Sequence, residues 1–161
     1  MEPDLIIADI IATEMSLASG RVVVYDENFK APNDQDIYIT IAFSSGKIIG
    51  NNNRFNPDTN SEEQYVSVSE TYNVEMTSKN RDALTRRYDP NMALRSVYSE
   101  QKQEENQVRI FRTNTNMDLS FIEGGSSLHR YRIPVIINST KIKSKVINYY
   151  DDFQAVEEAT E

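Results

Sequence analysis

Between residues 36 and 45 the sequence DIYITIAFSS alternates. Ile37, Ile39, Ile41 and Phe43 fall on one side of an extended chain, and Asp36, Tyr38, Thr40 and Ser44 fall on the other. A period of two is satisfied by a strand with one buried face, because side chains of a helix return to the same side only every three or four residues. The stretch YVSVSETYNVEMTS, from Tyr65, repeats the pattern with Val66, Val68, Tyr72, Val74 and Met76, and Glu70 interrupts it. Two such strands in succession predict a long antiparallel hairpin.

The segments around the hairpin supply what covers it. DLIIADIIATEMSL, from Asp4, spaces Leu5, Ile6, Ala8, Ile10, Ile11, Met15 and Leu17 mostly three and four apart, which predicts an amphipathic helix ending near Gly20. VVVYDE, from Val22, is β-branched and predicts a short strand, followed by a loop through Pro32, Asn33 and Asp34. From Asn80 the period turns helical through Ala83, Leu84 and Tyr88, then Leu94, Val97, Tyr98 and Gln101. Pro90 cannot sit inside that helix without losing a hydrogen bond, so Asp89 is expected as an N-cap with Pro90 in the first turn of a new helix, giving a kinked helix or two helices in series that end near Asn106.

VRIFRTN, from Val108, reads as a strand, and Gly124 and Gly125 break the chain after it. YRIPVIIN then sets Tyr131, Ile133, Val135 and Ile137 against Arg130, Arg132 and Pro134. A proline has no N–H for a ladder, which places this strand at a sheet edge or at a bulge. Lys141, Lys143 and Lys145 alternate with Ile142 further on, a pattern that guards an edge against stray pairing. The expected fold is α+β over residues 1–161 as one domain, with a mainly antiparallel sheet, a long hairpin and helices on one face. Residues 50–63, GNNNRFNPDTNSEE, are expected as a flexible hairpin loop, and the acidic residues 154–161 as a frayed tail.

Little in the chain points to bond-making chemistry. There is no cysteine, which excludes disulfides, thiolate metal sites and cysteine nucleophiles. The single histidine, His129, lies in GGSSLHR, which is not a G-x-S-x-G elbow, and neither phosphate-loop pattern occurs. Acid pairs such as Glu62/Glu63 and Glu104/Glu105 are adjacent neighbours in polar stretches, as solvated acids are. No enzyme activity, cofactor or metal is expected. The net charge of −8 and a pI near 4.7 argue against tight wrapping of nucleic acid. Acids at the N-terminus stand where a signal peptide carries Lys or Arg, and no run of about 18 apolar residues occurs, so neither export through a cleaved signal nor a membrane partner is expected.

Surface for partners remains. Arg130, Tyr131 and Arg132 combine residue types enriched at interface hot spots on an expected edge strand. Arg54 and Phe55 stand in the polar loop, and Gln101 and Gln103 lie in a strongly polar helix. These seven residues are the candidate subunit or partner interface. Reversing charge at Arg130 and Arg132 together is expected to weaken assembly more than folding, since both sit on the polar face.

The segment NRDALTRRYDPNMALRSVYSEQKQEENQ, then VRIFRTN, FIEGGSSLHRYRIPVIIN and YYDDF, resembles the phage neck or tail terminator proteins, also called head-tail joining proteins. RVVVYDENFKAP resembles an early strand of that family, and the similarity covers about three quarters of the chain. The resemblance implies a virion protein of the neck, made in the host cytoplasm. It implies a ring, typically a hexamer, that caps the tail tube, joins it to the head connector or adaptor and leaves a central channel through which DNA passes. The alternative within a virion is a connector-side stopper or adaptor, or a tail-tube-like subunit.

Overall fold

The computed structural model describes residues 1–25, 31–112, 115–123 and 126–146. Helix α1 (Pro3–Glu14) leads into strand β1 (Val22–Val24) and the hairpin β2 (Tyr38–Asn56) and β3 (Ser61–Ser78). Three short helices follow, α2 (Asp82–Thr85), α3 (Asp89–Ala93) and α4 (Val97–Glu105). Strands β4 (Arg109–Arg112), β5 (Met117–Asp118), β6 (Phe121–Glu123) and β7 (Ser126–Val146) complete the order. The sheet runs β1-β2-β3-β7-β4, with β5 and β6 also paired to β7. Only β1 and β2 are parallel, so the protein is α+β with a mostly antiparallel sheet. Gly124, Gly125, the YYDDF segment and the acidic tail 154–161 lie outside the described residues.

The alternation read from the sequence sets the buried face. Ile39 and Ile41 of β2, Tyr72, Val74 and Met76 of β3, and Tyr131, Ile133, Val135 and Ile137 of β7 are all buried in one apolar cluster. Ile6, Ile7, Ile10 and Ile11 of α1 are fully buried against them, each contributing about 1.5–3 kcal/mol over an exposed side chain. Polar contacts then fix how the helices sit. The Tyr98 hydroxyl donates to Asp9 Oδ2 at 2.9 Å, tying α4 to α1, and Arg86 Nη2 donates to the Met15 carbonyl at 3.0 Å, satisfying the end of α1.

The region around Pro90 resolves into three short helices rather than a kinked helix or two in series. Asp89 is not the N-cap. It is the first residue of α3, with Tyr88 at the cap position, and its carboxylate accepts from Arg86 Nε at 2.7 Å. Ser96 is the side chain that caps a helix, its Oγ accepting from Ser99 N at 3.0 Å at the start of α4. Ser96→Ala is expected to lower stability by about 1 kcal/mol, read as a lower urea midpoint with unchanged slope.

Two expectations about the sheet change. Residues 50–63 are not a loop: β2 continues to Asn56, a four-residue turn spans 57–60, and β3 restarts at Ser61 in register with β2. The turn is closed by Asn56 Oδ1 accepting from Asp58 N at 3.0 Å, and by Asn60 at φ 48°, a left-handed conformation that asparagine tolerates. Strand β7 is an edge only in part: β3 pairs with it from Ser78↔His129 to Ser61↔Val146, and among the described residues its lysine-bearing end, 139–146, has no second neighbouring strand. Its other side carries β5 up to Arg132 and β4 from Val135 to Asn138, so these registers stop on either side of Ile133 and Pro134, where a missing N–H is tolerated.

Candidate functional site

Beyond the helices the sheet narrows to three strands. Residues 48–56 of β2, 61–68 of β3 and 139–146 of β7 form an arm about 25–30 Å long at ~3.4 Å per residue. The arm starts where the apolar stripe stops. On the helix-covered side of β3, Tyr72 gives way to Glu70, which stands between Gly46 and Ile137. Burial pushes the Tyr72 hydroxyl above its ordinary range, and the nearby carboxylates of Glu70, Asp4 and Glu2 push it the same way. Two bulges in β2, between Phe43 and Ser45 and between Ile48 and Gly50, fall at this boundary, and an extra residue of this kind bends and twists a strand.

Both faces of the arm meet solvent. Ile48 is 69% exposed, Ile142 59%, Val146 69% and Phe55 41%, so large apolar side chains stand outside the core along the whole arm. On the side continuous with the helices lie Ile48, Asn51, Asn53 and Phe55 of β2, Glu62, Gln64, Val66 and Val68 of β3, and Lys141, Lys143 and Lys145 of β7. On the opposite side Arg54 faces Glu63, whose carboxylate also accepts from the Tyr65 hydroxyl at 2.5 Å and raises that phenol. Residues 47–69 and 139–146 together hold five basic and three acidic residues, whereas the whole chain is at −8. The arm therefore carries a small net positive charge on an acidic molecule.

The second surface is the open face of the sheet, away from the helices. Tyr25, Tyr38, Thr40, Ala42, Asn73, Glu75, Thr77, Leu128, Arg130 and Arg132 line a groove of about 390 Å³ there. Glu75 is its centre, with a side chain 10% exposed. Arg130 donates through Nε to Glu75 Oε2 at 2.7 Å and pairs with the same oxygen through Nη2, while Arg132 donates through Nε to Oε1 at 2.5 Å. The two guanidinium groups, about one-third exposed, neutralise one shared carboxylate. At the β1 margin Arg21 pairs with Asp34 through two bonds, which raises the arginine and holds the Asp34 carboxyl below its usual range.

The seven residues singled out by sequence fall in three places. Arg130 and Arg132 come together, on Glu75. Tyr131 does not join them: it points to the helix-covered side and is 4% exposed, because neighbours on a strand face opposite ways. Arg54 and Phe55 lie near the arm tip on opposite faces. Gln101 is exposed on α4, whereas Gln103 is 6% exposed and bonded within the chain.

Tyr131 and Gln103 thus belong to the interior rather than to an interface. The sequence reading missed Glu75, which looks like any polar-face residue until β7 is laid beside β3. It also missed Ile48 and Ile142 as exposed apolar positions. Among the described residues no cluster of three metal-ligating side chains occurs, and no helix is long and apolar enough to cross a membrane. The chain matches no family model, and no curated protein is significantly similar to it.

Proposed function

We propose that the protein is a structural component of a phage virion, a neck or tail terminator of tail-terminator-like fold. Its copies form a ring, a hexamer in the family it resembles, that caps the tail tube, docks to the head connector and leaves a channel for DNA. It acts without catalysis or cofactor. One observation carries the reading: a three-stranded arm with apolar side chains exposed on both faces, which none of the described helices covers. Exposed apolar surface of this kind is characteristic of a binding surface. A closed ring joins unlike patches on each copy, and an arm with one uncharged-to-basic strand on each side offers two. The arm's length also suits a tube-like subunit, the second reading.

Light scattering and negative-stain electron microscopy of the purified protein, alone and mixed with tail tubes or connectors, test this. Closed rings are expected, either free or nucleated on the tube. A helical polymer would favour the tube-like subunit. A protein that stays monomeric and binds neither structure would overturn both.

A further inference from the structure

Away from the arm and the open face, the helix layer carries a basic apolar groove. Two adjoining cavities of about 290 and 260 Å³ lie between α2 and α3 and the start of β5, and Tyr88 and Asn116 line both. Arg87 lines the first, and Met92 and Arg95 line the second. Tyr88 is 55% exposed and Met92 66%. The Arg87 guanidinium stands 4.7 Å from the centre of the Tyr88 ring and donates through Nη1 to the Leu84 carbonyl at 2.8 Å. Among the described residues neither Arg87 nor Arg95 has a carboxylate in salt-bridge contact. The carboxylate that lines the groove, Asp118, already accepts from Ser120 N at 2.9 Å. Two guanidinium groups beside an aromatic ring and a thioether suit an occupant that carries paired carboxylates among aromatic rings.

The segment that follows the arm has that composition. Directly after Val146 the sequence reads INYYDDF, with Tyr149, Tyr150 and Phe153 around Asp151 and Asp152 and no basic residue. Building on the ring reading above, we infer that the groove of each copy takes residues 149–153 of a second copy. The two aspartates meet Arg87 and Arg95, and the aromatic rings pack on Tyr88 and Met92.

Reach decides between the copies. From Tyr131, which lines the groove, to Val146, strand β7 runs about 50 Å at ~3.4 Å per residue. Residues 147–152 span at most about 22 Å when fully extended, so Asp151 and Asp152 fall well short of their own groove. The arm instead carries them outward, onto a neighbouring body. The contact is heterologous, the tip of one copy on the body of the next, as a closed ring requires. It also fixes how the arm lies. Neighbours in a ring are related by rotation about the axis alone, so tip and groove meet at one height only if the arm runs around the ring rather than along its axis.

The chain lacks cysteine, so introduced pairs report the contact cleanly. Met92→Cys is combined in turn with Tyr150→Cys and Phe153→Cys in the full chain. Under mild oxidation at least one pair is expected to give a ladder of covalent oligomers that collapses to monomer on reduction. Adding Arg95→Glu is expected to cut the ladder's yield at least threefold at low salt, and an unchanged yield would overturn the charge pairing. Rings in the microscope with no ladder from either pair would overturn the docking and leave the ring reading standing. If Arg95→Glu rings then also fail to bind tail tubes or connectors, the groove belongs to that partner instead. A disulfide closed within one chain would overturn the second copy as occupant, and a dimer from Met92→Cys alone would replace it with a groove-to-groove pair. A protein monomeric with and without tail tubes overturns both inferences.

Discussion

Replacing Arg130 and Arg132 together by glutamate is expected to unfold the body of the protein rather than to spare it. Both guanidinium groups neutralise Glu75, a carboxylate 10% exposed at the centre of the open face. The double reversal leaves that carboxylate with two new anions on the adjacent strand, at registers 75↔132 and 77↔130. Removing the partner of a buried charge costs about 3–5 kcal/mol, and here the repulsion adds to it while the one-third exposure of the arginines takes some away. Against a typical total of about 5–15 kcal/mol this is a large fraction of stability.

A fall in Tm of about 10 °C or more is expected, read at one protein concentration because assembly adds stability by mass action. Arg54→Glu, on the exposed arm, is the control and is expected to stay within about 0.5 kcal/mol. An unchanged Tm for the double variant would show that Glu75 does not need its partners. The sequence alone suggested that this variant would weaken assembly before folding. The pairing on Glu75 moves the expected effect to folding.

Gln103→Leu comes next in size. The side chain is a three-way latch: Nε2 donates to the Ser99 carbonyl at 3.2 Å and to Ser99 Oγ at 3.1 Å, and Oε1 accepts from Ile110 N at 2.8 Å. Ser99 Oγ in turn donates to the Leu94 carbonyl at 3.1 Å, so one amide links the end of α3, helix α4 and strand β4. Leucine fills nearly the same volume but leaves the buried Ile110 N–H without its acceptor. An orphaned donor costs about 1–3 kcal/mol, and the lost donations bring the expected loss to about 2–4 kcal/mol, or about 4–16 °C in Tm. Gln101→Leu, two residues earlier on the exposed side of α4, is expected to change stability by less than about 0.5 kcal/mol. Equal losses at the two positions would mean that the latch carries no special weight. The contrast also separates two glutamines that look alike in the sequence.

Much of the body was legible because burial leaves a mark on sequence. Ile37, Ile39 and Ile41, Val74 and Met76, and Ile133, Val135 and Ile137 each repeat every two residues, and all are buried. The isoleucines of α1 lie at helical spacing and are buried likewise. The Pro90 break was legible as an interruption, though Tyr88 rather than Asp89 took the cap position and the Asp89 carboxylate accepts from Arg86 instead. Of the candidate surface, Arg54, Phe55 and Gln101 are where solvent can reach them, while Tyr131 and Gln103 are not. A residue's type says that it suits an interface, but not which way its strand or helix turns it.

What the sequence by itself determined is the period: which residues share a face wherever one face is buried, and hence an α+β chain built on a long hairpin. Tertiary structure alone decided the arm and the partners of the arginines. NNNRFN has water on both faces, so it carries no alternation to read, and its extended state comes from the hydrogen-bond ladder of β3, itself held by β7. Glu75 meets Arg130 and Arg132 across 55 and 57 residues of chain, a pairing that exists only once strand order and register are set. Local periodicity records burial, whereas pairing between distant strands is recorded in no local pattern.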